Sequence, residues 1–554
     1  MNEIVSVLTK KGYLVSDDFI DNIPENFEAE EFVNLIEEKV KEKDDIVVLN
    51  KDFLTSIFKK KDKSSIEINW NEFDASRTLL EKGKNKEIYQ TFVDILNYDI
   101  DEKKKKKVDR IVHSIEKQES DIVIEDSVSN ENNVIVLKSY KEEAKKRVVD
   151  DFVYYFRKRF EAISGILRSR EKMNGVISLN RLGGKKDNER VSVLGMISAK
   201  RMTKNDNVML TIEDFTGEIF LLINKNKMEL YNEAKDLCDD EIIGVIGVKS
   251  GSFIFVDELV FPEVPMSHGI KKFNEEVYCA FISDLHVGSK HFLTEGFEKF
   301  LKWINGGSGN ESQKNIANKI KYLFIGGDLV DGVGIYAGQE DDLDLKDIYE
   351  QYNHFTTLIK RIPKEIQIIM CPGNHDALRL TEPQPAIGKE YCEELLKMDN
   401  VYMVSNPSLV NIHSNENFQG FDVLLYHGAS FNYYIDNVDS IRLSGGYKRA
   451  DLVMQYLMKR RHLAPTHIST SYIPNIEEDC LVIDKVPDFL LTGHIHRLNV
   501  GNYRNVSLIN ASCWIGQTDF MEKVGLIPQP GKVVVANLQT RDVKVLSFVE
   551  DGSE

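Results

Sequence analysis

With 554 residues, 42% of them hydrophobic and 29% charged, the chain has the composition of a globular protein of roughly two to four domains, not of a disordered or fibrous one. Its formal charge of -18 counts against autonomous, tight binding to nucleic acid, which needs basic surface to displace counterions. It leaves room for a nuclease site, where metal ions supply positive charge locally.

No apolar run approaches the roughly 20 residues that span a bilayer, and the start MNEIVSVLTKKGYLV lacks the apolar core of a signal peptide. The six cysteines form no C-x-x-C pair, which argues for a reducing compartment and against a disulfide framework or a cysteine zinc site. The expected setting is cytoplasmic, with no membrane partner.

Residues 1–110 read as a helical, polar region, with apolar positions at helical spacing in EAEEFVNLIEEKVKEK. The basic run Asp101–Arg110 reads better as a solvated helix face than as a nucleic-acid contact. Residues 111–140, containing EKQESDIVIEDSVSNENN, read as a flexible acidic linker, and 141–187 as a helical segment. From 188 to 265 the pattern switches to period two, giving five short strands with the helix NKMELYNEAKDLC between them. That is the pattern of an OB-fold barrel. Few of its aromatics look exposed, so an interdomain support is favoured over a platform for single strands. From 275 to 550 short apolar strands alternate with amphipathic helices such as FEKFLKWI and EQYNHFTTLIKRI, a layered α/β domain.

Five apolar runs of this last region end alike. VYCAFISDLH ends on Asp284 and His286, IKYLFIGGD on Asp328, and IQIIMCPGNHD on Asn374 and His375. FDVLLYHG ends on His427 and DFLLTGHIH on His494 and His496. Each reads as a buried strand running into a glycine-containing turn. In layered α/β folds, ligands bind beyond the carboxyl ends of the strands, so these residues can converge. Of the 12 histidines only His113 precedes residue 268, so the imidazoles are gathered in this region. Carboxylate and imidazole donors suit manganese, iron, zinc or nickel, and a shared aspartate can hold two ions at the spacing used in phosphoryl chemistry. Each motif alone is an ordinary turn. His291, His354, His413, His462 and His467 read as surface or core residues. The conjunction D-x-H, G-D, G-N-H-D, H-G, G-H-x-H is what departs from chance.

That series, spanning 284–496, resembles the calcineurin-like metallophosphoesterases. The strings FISDLHVGS, GNHDALRLTEPQPA and LLTGHIHR, with an OB-like segment upstream, resemble one branch more closely: the small subunits of archaeal family D DNA polymerases, related to the B-subunits of eukaryotic replicative polymerases. The resemblance runs from about residue 140 to the C-terminus. It implies a β-sandwich flanked by helices and two divalent ions, manganese as the working metal with magnesium, iron or zinc as alternatives. Asp284, His286, Asp328 and His496 would hold one ion, and Asp328, Asn374, His427 and His494 the other. His375 would face the scissile phosphate as the catalytic group.

The resemblance further implies a 3′–5′ proofreading exonuclease acting on single-stranded or mismatched DNA ends, bound to a large polymerase subunit and associated with the nucleoid. Eukaryotic relatives have lost several of these ligands, whereas this chain keeps every one. There is one departure: where several nuclease relatives carry a second histidine, this chain has Asp331, which fits a loop-stabilising role and not an electrophilic one. Arg379 and Arg497, just past two of the motifs, are candidate contacts to substrate phosphate, with an ion pair to Glu382 the alternative for Arg379. Two other functions use the same fold: a metal-dependent phosphatase or cyclic-nucleotide phosphodiesterase, which the upstream barrel disfavours, and a non-catalytic polymerase scaffold.

Overall fold

The computed structural model describes residues 134–141, 146–475, 477–523 and 525–549, and a parallel pairing of Leu14–Val15 with Val48–Leu49. The chain divides into two units, 1–125 and 126–554. Apart from that short pairing, the helical region expected over 1–110 and the basic run lie outside the described residues.

The second unit begins with β1 (Val134–Ser139) and α1 (Val149–Arg168). A barrel follows, made of β2 (Arg190–Met202), β3 (Val208–Asp214), β4 (Gly217–Ile223), α2 (Met228–Lys235), β5 (Ile242–Ser250) and β6 (Phe253–Val260). The strands close in the order β2-β3-β4-β6-β5. Alternation makes the barrel: Val208, Leu210 and Ile212 of β3 are fully buried while Met209 and Thr211 between them are not. Leu221, Ile223, Val245 and Ile254 complete an interior filled with side chains. The expected five-stranded barrel with its inserted helix is present.

The rest of the chain forms a four-layer sandwich. Its strands are β7 (Tyr278–Ile282), β8 (Ile320–Ile325), β9 (Gln367–Met370), β10 (Val401–Met403), β11 (Ser408–Ile412), β12 (Phe421–Leu425), β13 (Phe489–Thr492), β14 (Asn499–Tyr503), β15 (Val506–Asn510), β16 (Lys532–Asn537) and β17 (Val543–Ser547). Among the described residues they make two six-stranded sheets, ordered β10-β9-β8-β7-β16-β17 and β14-β15-β13-β12-β11-β1. Strands β7 to β10 run parallel, as do β12, β13 and β15. Parallel strands are buried on both faces and so read as continuous apolar runs. In β7, Cys279 and Phe281 face the second sheet, while Tyr278, Ala280 and Ile282 face outward onto helices. The covering helix α3 (Thr294–Ile304) buries Phe297, Phe300, Leu301 and Ile304, a helical stripe. On the other outer face, Leu424, Leu490 and Leu508 pack against α4 (Phe431–Asn437) and α5 (Ala450–Arg460).

One segment differs from its expected state. Val134–Ser139 lies within the stretch read as flexible linker, yet it forms β1, antiparallel to β11 at the edge of the second sheet. Its partner is some 270 residues away, so nothing local marks it as a strand; the apolar run VIVL finds a sheet edge to complete. The sandwich therefore takes one strand from before the barrel.

The barrel and α1 are fixed to the sandwich by buried charges. Arg460 on α5 meets Glu241 at 2.9 Å, and Tyr456 also hydrogen-bonds that carboxylate. From α1, Arg159 Nε donates to Asp479 Oδ2 at 2.6 Å and the Tyr155 hydroxyl donates to Oδ1 at 2.7 Å, while His462 Nε2 lies 2.8 Å from Oδ2. Burial alone would raise the Asp479 pKa, but Arg159 and His462 hold it far below the usual carboxylate range. A depressed carboxylate stabilises the fold fully above its unfolded pKa, near 4, and loses that contribution as pH falls toward the folded value. Asp479→Asn is therefore expected to cost about 3–5 kcal/mol near neutral pH, because it strands a buried guanidinium. It should also flatten the dependence of stability on pH below about 4. Urea midpoints measured against pH check both.

Candidate metal centre

The parallel strands deliver their loops to one edge of the sandwich. Asp284 and His286 follow β7, Asp328 follows β8, Asn374 and His375 follow β9, His427 follows β12, and His494 and His496 follow β13. Asp284, His286, Asp328 and His427 are at most 1% exposed. The backbone turns sharply at these points. Asp284, His286, Asp328, His494 and His496 all adopt left-handed conformations, with φ of 52°, 51°, 49°, 68° and 55°. Such φ values in non-glycine residues cost energy and cluster at functional sites. The motif glycines permit close approach: a Cβ on Gly373 would overlap the Asp328 carboxylate, and one on Gly493 would overlap Asp284 and Ser283.

The seven proposed ligand positions fall into two groups that share Asp328. In the first, ligand atoms of Asp284, His286, Asp328 and His496 all lie within 4.8 Å of one another. His286 Nε2 is 3.0 Å from His496 Nε2, which in turn is 3.3 Å from Asp284 Oδ1. In the second, Asn374 Oδ1 sits 3.0 Å from His427 Nε2 and 2.8 Å from His494 Nδ1, and His427 Nε2 is 3.2 Å from Asp328 Oδ2.

The tautomers make these groups suit cations. His427 donates Nδ1–H to the Gly326 carbonyl at 2.9 Å, and His286 donates Nδ1–H to Asp331 Oδ1 at 3.0 Å. Each imidazole therefore turns Nε2 toward the other side chains of its group, the side from which a neutral imidazole would hold a cation.

The electrostatics agree. Burial opposes ionisation of Asp284 and Asp328, yet His496 and His427 beside them hold both below the usual carboxylate range. Burial, then the neighbouring His375, lowers His286, and burial with His427 lowers His494 to about 3, so both stay neutral, the form that ligates. For His427, burial is outweighed by Asp328 and the pKa rises to about 10, which marks where the surrounding carboxylates call for positive charge.

His375 sits beside these groups. Its backbone N–H donates to Asp328 Oδ1 at 2.8 Å, and its Nδ1–H donates to the Asp331 carbonyl at 2.8 Å, which leaves Nε2 available to a substrate. Asp331 supports both histidines: its carboxylate orients His286 and its carbonyl orients His375. Gln339 in turn donates to Asp331 Oδ2 at 3.0 Å and to its carbonyl at 2.9 Å. Asp376 accepts N–H bonds from Gly373 and Leu329 and a hydroxyl from Tyr352, so it ties the loop together; burial lifts its pKa to about 7.

Arg379 and Arg497 do not reach the cleft that opens over these residues. Arg379 donates to the Pro383 carbonyl at 2.6 Å and stacks on Tyr140, with no ion pair to Glu382, and Arg497 donates to the Ile527 carbonyl at 2.6 Å. Each guanidinium instead satisfies a backbone carbonyl, Arg379 one in its own turn and Arg497 one in the segment after β15. Gln339 and Asn432, whose side-chain amide lies 3.1 Å from His494 Nε2, belong to the site but follow no motif. Only their position soon after a strand-end motif could have pointed to them.

The calcineurin-like phosphoesterase family profile matches residues 278–498, and domains of this type bind divalent metal. Curated relatives named DNA polymerase II small subunit match over a longer span. The Methanocaldococcus jannaschii protein is 42% identical over 394 residues, covering 70% of this chain and 64% of its own length. The Methanothermobacter thermautotrophicus protein is 39% identical over 400 residues, covering 72% of this chain and 80% of its own length. The Archaeoglobus fulgidus protein is 42% identical over 388 residues, covering 70% of this chain and 75% of its own length. By this likeness, over a span much longer than the phosphoesterase profile alone, the chain belongs to the family of archaeal DNA polymerase II small subunits.

Proposed function

We propose that the chain is a metal-dependent 3′–5′ DNA exonuclease, the proofreading small subunit of a heteromeric archaeal replicative polymerase working in the nucleoid. The observation that carries the reading is the meeting of seven ligand-type side chains from five strand ends, with His375 held beside them. Asp284, His286, Asp328 and His496 would hold one divalent ion, and Asp328, Asn374, His427 and His494 a second. Manganese is the favoured metal; magnesium, iron and zinc are also compatible with these donors. When bound, the ions would activate the attacking water and neutralise charge on the phosphate. Asn374 supplies a donor oxygen without adding negative charge beside a phosphate.

The protein's own steps follow from the hydrogen bonds. With Nδ1–H committed to the Asp331 carbonyl, His375 presents Nε2 to the scissile group. As the P–O3′ bond breaks, a proton on Nε2 passes to the departing 3′ oxygen, general acid catalysis. Asp331 keeps His375 and His286 in register, so a second catalytic histidine has no counterpart here.

A large catalytic subunit would supply much of the DNA contact that a chain of charge -18 lacks. The barrel serves as the support between α1 and the sandwich, through the Glu241–Arg460 contact. The deciding experiment incubates the purified chain with Mn²⁺ and a 5′-labelled single strand. A ladder shortening from the 3′ end is expected. Hydrolysis of a generic aryl phosphate with the strand untouched would replace this reading with a phosphatase.

A further inference from the structure

The cleft over the metal centre, of ≈ 270 Å³, has two unlike parts. Its floor is the imidazoles, carboxylates and amide described above. The remainder is apolar and aromatic: Ile335 and Tyr336 from the loop after β8, Tyr447 from the turn before α5, and Ile515, Met521 and Pro528 from the segment after β15. The lining contains neither lysine nor arginine. The Tyr336 hydroxyl donates to Asp342 Oδ2 at 3.0 Å, which leaves its ring face for a ligand, and both tyrosines are half-buried.

A site for a small, highly charged phosphate ester would add cationic donors around the metals. This one instead places apolar and aromatic side chains beside its polar floor. A deoxynucleotide has that division within one residue. We propose that the wall formed by Tyr336, Tyr447 and their apolar neighbours is a nucleobase subsite. It receives the base of the 3′-terminal nucleotide, unstacked from the strand, while the phosphate on that nucleotide's 5′ side lies over the metal centre. Base–aromatic stacking tolerates all four bases, as a sequence-independent nuclease needs. Entry requires unstacking, which costs least for a mismatched or frayed end, so the subsite itself selects mispaired termini. This rests on the exonuclease reading, which supplies DNA as the substrate.

The test is calorimetric titration of the Mn²⁺-loaded full chain with dTMP and with 2-deoxyribose 5-phosphate, ligands that differ only by the base. Wild type should bind dTMP about tenfold more tightly. Tyr336→Ala and Tyr447→Ala should each bring dTMP toward the sugar phosphate, while Tyr336→Phe and Tyr447→Phe keep the preference and show that the fold is intact. Equal affinities in wild type, absent dTMP binding, or alanine variants with undiminished dTMP affinity would each overturn the subsite. Digestion of oligonucleotides ending in a normal or an abasic 3′ residue separates the two proposals. Base preference in binding without strand digestion removes the exonuclease and keeps the subsite. Equal digestion of both ends removes the subsite and keeps the exonuclease.

Discussion

Replacing His375 by alanine is expected to slow digestion of single-stranded DNA by about two to four orders of magnitude, the usual contribution of a positioned general acid. Metal content should not change. The contact that His375 makes to the metal centre is its backbone N–H on Asp328, which alanine retains. The imidazole bonds the Asp331 carbonyl and packs edge-on against the His286 ring, with centroids 4.5 Å apart, but holds none of the seven ligand positions, so its loss removes proton transfer and leaves those side chains in place. Single-turnover rates together with elemental analysis of the bound metal check the pair of outcomes. Undiminished digestion would mean that the nuclease activity arises elsewhere, and a scaffold role for this chain would gain.

Asp328→Asn should be at least as severe, with metal content falling as well as rate. Asp328 belongs to both ligand groups: its Oδ2 lies 3.2 Å from His427 Nε2 and 3.6 Å from His286 Nε2, and its Oδ1 accepts the His375 N–H. Asparagine keeps the shape and the acceptor for His375, so the loop should hold. What disappears is the one negative charge that the two proposed ions would share. Loss of a single electrostatic contact at a reacting centre costs roughly 10²–10³ in rate, and here both ions weaken together, so a fall of about 10³ or more is expected. Retention of two tightly bound ions in this variant would rule out Asp328 as the shared ligand.

The sequence made the floor of the site legible and its walls invisible. Asp284, His286, Asp328, Asn374, His427, His494 and His496 could be picked out because each follows an apolar strand into a glycine-containing turn, and parallel strands necessarily end on the same edge. The barrel was legible because strands such as β3 alternate, and α3 because its apolar residues recur at helical spacing. Tyr336, Tyr447 and Met521 carry no such signature: they come from three separate segments between strands, and only the folded chain assembles them. β1 was hidden for the same reason, since the strand it completes lies far along the chain. Asp331 was recognised as a departure, but its support of two histidines depends on where its carboxylate and carbonyl point.

The left-handed backbone at five of the motif positions has a consequence for how such a site ages. Each of those residues holds a conformation that glycine would occupy without penalty. Asp284 is nonetheless tied into the fold, since it accepts the His494 N–H at 2.9 Å, and Asp328 holds the loop that carries His375. The side chains of His494 and His496 bond only other groups of the site, Asn374, Asn432, Asp284 and His286, and exchanging either for glycine relieves backbone strain. Folding stability thus guards the aspartates and exerts the opposite pull on these imidazoles. Were the proposed hydrolysis no longer selected, the histidines would be free to erode first, while the sandwich that carried them persisted as a binding scaffold.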